Sequence, residues 1–498
     1  MVFRDSNSKV KFAFIAFLVV HVFVWSILPI IRDLLPTDAL ECIYWGGLFD
    51  FGTHKHPPLC GWLAYFFYNL FGKTDFSMYF LGQIFILGGF VYLFKLGKCF
   101  LSETQSALAV MVLEGCYVYS YMSAFDGFNP NFILFLAFPA IAYHFYKSLK
   151  ENRLVDWILL GTFMGFGFLA KYQTLLLLIP MVMYSLIFKK VRKIYRERGV
   201  YIAIIIAFLI FLPHLIWLFN HNFFSFLYFK ECEDSYSQAY FGVIKYLEAP
   251  FLFLMEQIYA IAGTVFIFVV TRLRFKIPFK VNTETDFDDR YFLIFMGLFP
   301  VLLQALPGLF TGNEIRGTWG YPMVYMVGIM LFYFFPLKVD EKVFKYMTKW
   351  VYSAMAIIFT VLLVLFSLEK NFRSRYPYEI ISNDMKTIFK ANTGKELNYV
   401  GGYIEFALPL SVYGDFQPQM ILDSYGESNP WVSPDKIKKD GAIIMARHLE
   451  FLSKQLTRLA PYKEVKISDP KKYLFKVYNK FGKERDYTMY YAIVYPEN

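Results

Sequence analysis

Asp38 and Glu41 stand three residues apart in the stretch TDALECIYWGGLFDFGTHKHPPL, residues 37–59. At that spacing two acids share one face of a helix. Lys55 and His56 follow, just before Pro57-Pro58. A carboxylate can take a proton, and a lysine beside a histidine can hold an anion. Two blander readings fit the same residues. The acids could be solvated on an interfacial helix, or Thr37 or Asp38 could cap its N-terminus. Lys55-His56 could be a polar turn ahead of a helix that starts on proline.

Other polar groups fall at comparable places. AFDGFNPN carries Asp126, Asn129 and Asn131; FLAKYQT carries Lys171 and Tyr172; TGNEIRGTWGYP carries Glu314, Arg316 and Trp319. Lys171 and Arg316 alone could be cations snorkelling to headgroups, and His144 reads as an interface residue. Together, four separate loops bring charge to one face, at the level of a lipid headgroup. Acids beside cations suit a reaction in which a hydroxyl or amine attacks a sugar carbon and a phosphate leaves. The carboxylate acts as general base; Lys and Arg, or a metal, stabilise the departing phosphate.

The elements that must position these residues are membrane helices. Of 498 residues, 57% are hydrophobic and only 18% charged, below the roughly 25% of a soluble protein. Mean hydropathy is +0.41. Apolar runs near 12–31, 76–97, 104–122, 131–146, 154–170, 174–188, 200–219, 250–271, 291–310, 320–336 and 350–368 predict eleven spans. The first follows Lys9 and Lys11, lacks a small-residue cleavage site and reads as a retained anchor. The run 57–71 is too short to cross comfortably. If it lies at the interface, every basic cluster, from Arg4/Lys9/Lys11 to Lys338–Lys349, falls in the cytoplasm. The loop 32–75 then faces outward, as does the tail. The expected organisation is a polytopic α-helical catalytic domain over 1–368 and an extracytoplasmic α/β domain over 369–498. In the tail, QMILD and GAIIMA read as buried strands and RHLEFLSKQLTRLA as an amphipathic helix. The net charge of +10 is set between spans, a matter of topology rather than nucleic acid. Five scattered cysteines (42, 60, 99, 116, 232) form no CxxC and give no metal framework.

The loops resemble those of the GT-C superfamily of polyprenyl-phosphate-sugar glycosyltransferases, family-39-like enzymes akin to lipid A aminoarabinose transferases and protein O-mannosyltransferases. The resemblance rests on Asp38-x-x-Glu41, Tyr44-Trp45, His56-Pro57-Pro58 and Trp62. GFLAKYQTLLLLIP is similar to the family's Ser-Lys-Tyr segment, with Ala170 in the Ser place. FLPHLIWLFNHNFFSF has Leu218 where Asn is usual, and NEIRGTWGYP has Thr318 in the place of Asn. The tail, VGGYIEFALPLSVYG to NPWVSPDKIKKDGAIIM, resembles the outer domain of one subgroup.

The resemblance implies a GT-C fold and an inverting transfer of sugar from a polyprenyl-phosphate donor to an acceptor outside the cytoplasm. Lipid A or another envelope glycolipid or glycan is the expected acceptor, with protein as the alternative. Asp38 would be the base. Glu41 would orient the acceptor, or bind a divalent metal in some relatives; no other cofactor is implied. Lys55 and His56 would sit near the donor phosphate, with Lys171 and Arg316 helping to hold it. Trp319 could stack on sugar or isoprenoid; Tyr172 could bind substrate or merely pack. Asp126 and Asn129 complete the candidate substrate-binding residues. The expected location is a bacterial inner membrane, with the site and tail on the periplasmic side, among membrane lipids and with no nucleic-acid partner.

Two other classes compete. A transporter or flippase would place its key polar groups near the midplane on broken helices. Glu114 and Glu256, lone acids inside apolar runs, keep that class open, and Glu114 is unexplained by sequence. A membrane-anchored binding protein whose tail does the work leaves the convergence of the loops unexplained.

Overall fold

The computed structural model describes residues 2–223, 225–226, 244–282, 286–369, 375–414, 416–422, 432–458 and 466–497. The remaining residues, which include Cys232, Asn429–Trp431 of the tail motif and the last two residues of RHLEFLSKQLTRLA, lie outside the described set.

The chain is a polytopic helical membrane protein. Apolar runs become helices because hydrocarbon offers no partner for backbone N–H and C=O, and a helix satisfies them internally. Among the described residues, six helices are long and apolar enough to cross a membrane, or up to nine if three bent pairs each count as one span. Two further expected spans fall on shorter apolar helices, Leu154–Ala170 and Tyr321–Phe334. The doubtful 57–71 run becomes Leu59–Leu70, a helix of 12 residues, too short to cross.

Two compact units emerge. The helical unit comprises Met1–Pro29, Asp50–Leu63 and Phe76–Leu362. Its first bent span shows how a broken helix is tolerated. Glu103–Met111 starts on a capping box, Ser102 Oγ accepting from Gln105 N while Gln105 Oε1 accepts from Ser102 N. It breaks near Cys116 and resumes bent by 70°. At the break Gly115 lies against Gly263 backbone to backbone; a Cβ on Gly263 would be 2.2 Å from the Gly115 carbonyl oxygen. The freed groups find partners on the Lys245–Arg274 helix: Tyr117 N donates to Ala260 O at 2.8 Å and Thr264 Oγ1 to Val112 O at 2.9 Å.

The second unit joins the tail, Leu363–Asn498, to two pieces of the first outer loop, Ile30–Phe49 and Ala64–Asp75. Among the described residues its sheet has five strands: β1 (Tyr399–Gly402), β2 (Gln419–Leu422), β3 (Ala442–Ala446), β4 (Lys471–Tyr478) and β5 (Glu484–Val494). They are ordered β2-β1-β3-β5-β4, with β1 parallel to β2 and β3, and β5 antiparallel to β3 and β4. The strands read from QMIL and AIIMA are β2 and β3, and the amphipathic helix is Leu449–Arg458. Its Leu452 packs with Ile421, Ile437, Ile444 and Ala492 in one apolar core.

Candidate functional site

In the helical unit the loop at 50–58 is built around Thr53. Thr53 Oγ1 accepts from His56 N at 2.9 Å and from Lys55 N at 3.2 Å, and donates to His56 O at 2.9 Å. Thr53 N also donates to His56 O, which closes a tight turn with Lys55 and His56 on it. The loop is fastened at both ends. Trp62 Nε1 donates to Asp50 O at 3.1 Å, and Ser225 Oγ donates to Thr53 O at 2.5 Å. Gly52 rests on Trp217, where a Cβ would come within 2.3 Å of the indole. So the polar-turn reading describes the local geometry; the helix that follows begins at Leu59, just after Pro57-Pro58, rather than on a proline.

Tyr172 belongs to the same fastening. His214 Nδ1 lies 2.6 Å from Phe51 O. A carbonyl only accepts, so Nδ1 carries a proton and Nε2 is left to accept from Tyr172 OH at 2.7 Å. The Tyr172 ring stacks on Phe226 at 5.2 Å. These contacts make it a residue that positions the Lys55-His56 loop.

Lys171 falls where the Leu154–Ala170 helix ends, in extended backbone. Its Nζ donates to Asn131 Oδ1 at 2.8 Å. Asn129 caps the preceding span, Pro130–Glu151, its side chain accepting from Asn131 N at 2.9 Å, with Pro130 at the first helical position. Gln173 Nε2 reaches Trp319 O at 3.1 Å and Gln304 Oε1 at 2.8 Å, tying the 312–320 loop to the same place. His56 is within electrostatic reach of Lys55 and Lys171. Burial first, and those two cations next, hold its imidazole well below its usual range. His54 is pushed down to about 3 by burial and then by Lys55. Both rings are therefore neutral near pH 7. The loop presents the lysine as its cation, and His56 as an uncharged donor or acceptor.

Lys55, His56, Asn129, Lys171 and Trp319 are thus drawn together within one unit. Arg316 is exposed at the start of the 3-10 turn Gly317–Trp319. Asp126 ends a short helix and lies among tyrosines, within electrostatic reach of Tyr117 and Tyr321.

Asp38 and Glu41 belong to the other unit. They lie on the helix Thr37–Leu48, with Asp38 exposed in its first turn and Glu41 buried at 4% exposure. The N-cap is Pro36, and no side chain caps the helix. The capping role considered for Thr37 or Asp38 is therefore not the one they play. Proline before the helix supplies no side-chain acceptor, and Thr37 is already helical. Tail residues hold this helix. Tyr44 OH accepts from Met420 N at 2.9 Å on β2, and Leu35 N donates to Tyr413 OH at 3.0 Å. Tyr413 OH in turn donates to Asp75 Oδ1 at 2.7 Å. Arg375 Nη1 donates to Asp33 Oδ2 at 2.7 Å, and Lys480 Nζ to Asp33 Oδ1 at 2.6 Å. Sequence reading missed Tyr44, Tyr413 and Arg375 as supports. Their partners lie more than 300 residues away, and only Tyr44 was signalled, by its place in the aromatic pair.

Among the described residues, no group of three or more His, Cys, Asp or Glu converges to hold a metal ion. Asp38 and Glu41 would be the carboxylates available to one, with the remaining ligands drawn from substrate phosphate and water.

A family profile described as dolichyl-phosphate-mannose-protein mannosyltransferase matches residues 55–217. The lipopolysaccharide core galacturonosyltransferase RgtA of Rhizobium johnstonii is 24% identical over 204 residues, 41% of this chain and 40% of that protein. The lipid A galacturonosyltransferase RgtD of the same organism is 26% identical over 190 residues, 37% of this chain and 38% of that protein. The chain thus matches roughly two-fifths of the length of these curated relatives. The crystal structure of ArnT from Cupriavidus metallidurans bound to undecaprenyl phosphate is similar over 96% of this chain and 97% of that one, with a TM-score of 0.64 at 14% identity. The fold is of the GT-C type, tail domain included.

Proposed function

We propose that this GT-C-fold membrane protein is an inverting glycosyltransferase. It moves a sugar from a polyprenyl-phosphate donor to lipid A or another envelope glycolipid or glycan. The observation that carries the reading is the gathering of Lys55, His56 and Lys171 from separate loops of one unit. That is a cationic place suited to a phosphate. The lipid-phosphate donor is supported by the mannosyltransferase profile and by the ligand of the similar ArnT structure. The glycolipid acceptor is supported by the names of the two curated relatives.

In this reading Asp38 takes the proton of the acceptor hydroxyl as its oxygen bonds to the anomeric carbon. The bond from that carbon to the phosphate oxygen breaks on the opposite face, and polyprenyl phosphate leaves. Lys55 and Lys171, helped by Arg316, stabilise the charge that grows on the phosphate, and so lower the barrier more than they lower the ground state. His56, held neutral, hydrogen-bonds without adding charge. Glu41 orients the acceptor, and Trp319 stacks on sugar or isoprenoid. The protein resides in a bacterial inner membrane with this chemistry on the periplasmic side.

Transfer to a protein hydroxyl is the second reading, favoured by the description of the matching family profile. Mass spectrometry of envelope lipids and glycoproteins, with and without the gene, separates the two. A sugar lost from lipid A or another glycolipid supports the first reading. A sugar lost only from proteins transfers the case to the second, and no change in either refutes the enzyme.

A further inference from the structure

Glu256 is the acid that neither the loops nor the helix packing absorbs. It is exposed, yet it lies well inside the 30-residue apolar helix Lys245–Arg274. A carboxylate exposed to hydrocarbon is costly, and acids in spans line polar cavities. The chain has also made room for it. Its carboxylate accepts from the Gly317 N–H, and a Cβ on Gly317 would sit 1.5 Å from Glu256 Oε2. Beside it Gln257 is buried; its Nε2 donates to Gly317 O at 3.0 Å, while its Oε1 has no hydrogen-bond partner among the described residues. A buried acceptor without a donor marks a place where a water or a ligand hydroxyl belongs.

A cluster of tyrosines lies near this acid. Tyr321 is within electrostatic reach of both Glu256 and Asp126. Tyr117 lies 5.4 Å from Tyr259 and 6.0 Å from Tyr321, ring centre to ring centre. Tyr117 and Tyr321 are half-buried and Tyr259 is 64% exposed, so their faces are reachable. Interfacial tyrosines alone would be an aromatic belt. A belt has no use for two carboxylates and an orphan amide oxygen. Tyrosine faces with acceptor-only oxygens are what a sugar ring needs, apolar C–H against the rings and hydroxyls toward carboxylates.

We infer that Tyr117, Asp126, Glu256, Gln257, Tyr259 and Tyr321 form the subsite for the transferred sugar, and that this sugar carries no acid group. The inference rests on the donor reading above. The loop that bonds Glu256 through Gly317 is the one that Gln173 fastens, through Trp319, beside Lys171. In the donor the sugar is attached directly to the phosphate, so a sugar subsite belongs next to the phosphate cations. Two carboxylates accept from hydroxyls or an ammonium and repel a uronate. The chain would then differ from the relatives named for galacturonate.

Purified full-length protein in nanodiscs tests this by competition against labelled polyprenyl phosphate. The competitors are polyprenyl phosphate carrying glucose, glucosamine or glucuronate. Glucose and glucosamine donors should bind at least about tenfold tighter than the glucuronate donor, the scale of a like-charge clash. Glu256→Gln should shrink that gap by about tenfold and leave the affinity for bare polyprenyl phosphate unchanged. Should that variant misfold, Tyr259→Ala at an exposed position should weaken binding of all three sugar donors alone, with bare polyprenyl phosphate unaffected. A glucuronate donor that binds wild type as well as glucose does overturns the inference and leaves the proposed function standing. No binding of polyprenyl phosphate in any form overturns both.

Discussion

Trp25 Nε1 donates to Glu114 Oε1 at 2.8 Å, deep among apolar side chains. The other carboxylate oxygen lies 2.6 Å from His21 Nδ1, and neither His21 nor Glu114 has any exposure. One acid is thus shared by Trp25 and His21, four residues apart on the first span, and sits in the turn just before the break in the third. This gives Glu114 a structural role, and removes the residue that spoke most for transport. A coupling acid must exchange its proton with a cavity; this one is enclosed and bonded on both oxygens.

Glu114→Ala should therefore cost stability. Removing one member of a buried polar set leaves the rest unsatisfied, at about 3 kcal/mol or more. Glu114→Gln, which can still accept from Trp25, should cost less. Thermal unfolding in detergent gives the ranking, and the sugar transferred per folded molecule should stay near wild type in both. Loss of activity in Glu114→Gln with unchanged unfolding would return the acid to a proton-coupling role.

Lys171 offers a contrast. Its ammonium is fixed on Asn131 at 2.8 Å, not left to follow the headgroups. A snorkelling lysine changed to Gln should be nearly silent. If it holds the donor phosphate, Lys171→Gln should lower kcat/KM for the donor by one to a few kcal/mol, the range of a charge-assisted bond. Unfolding temperature should change little. Steady-state kinetics across donor concentration reads this directly, and wild-type values would make the lysine a structural one.

Much of this was legible in advance because the membrane allows so few solutions. Apolar length predicts the helices, and the excess of basic residues between them makes 57–71 a short helix rather than a span. Strand signals such as AIIMA were readable because buried strands are short and apolar. The supports of the Asp38 helix were not. Tyr413 and Arg375 meet residues of the first loop across more than 300 positions of chain, and nothing in local pattern encodes such a pairing. The sequence likewise marks Glu114 as anomalous without showing that His21 and Trp25 answer it. Their spacing of four puts both on one helix face, a signal visible only once the partner is known.

The neutral histidines make the 50–58 loop sensitive to acid. His54 binds its proton only near pH 3 in the fold, against an ordinary value of 6.5. Above about pH 6.5 both folded and unfolded forms are neutral there, and the site contributes no pH dependence. As pH falls through that value the unfolded chain takes up a proton that the folded chain refuses, so stability declines progressively toward pH 3. Unfolding followed from pH 7.5 to 4 should show this loss in wild type, with a shallower slope in His54→Gln. Identical slopes would mean that the ring is not held neutral.

Orientation can be read with cysteines. In a background without native cysteines, Lys483→Cys on the β4–β5 turn should label in intact spheroplasts with an impermeant thiol reagent. Arg196→Cys, in the basic 189–198 cluster, should label only after lysis. Both positions are exposed. Arg196→Cys labelled from outside reverses the assigned orientation.

Asp38 is the sharpest test of the chemistry. The structure narrows what else it could be doing, since the helix it opens is preceded by Pro36 and carries no side-chain cap. Its charge near the helix N-terminus is worth about 0.3–1 kcal/mol. Asp38→Asn keeps the size of the side chain and should insert and unfold almost as wild type does. Turnover should behave otherwise. Asn matches Asp in size but cannot take a proton at neutral pH, and a general base typically contributes about 10²–10⁴-fold. Single-turnover transfer should fall by that factor while affinity for polyprenyl phosphate survives, because only an interaction made in the transition state has been removed. If Asp38→Asn keeps more than about a tenth of wild-type turnover, the loss is smaller than a base explains. The role then passes to Glu41, three residues on along the same helix and buried. Glu41→Gln, assayed the same way, would have to show the deficit that Asp38→Asn did not.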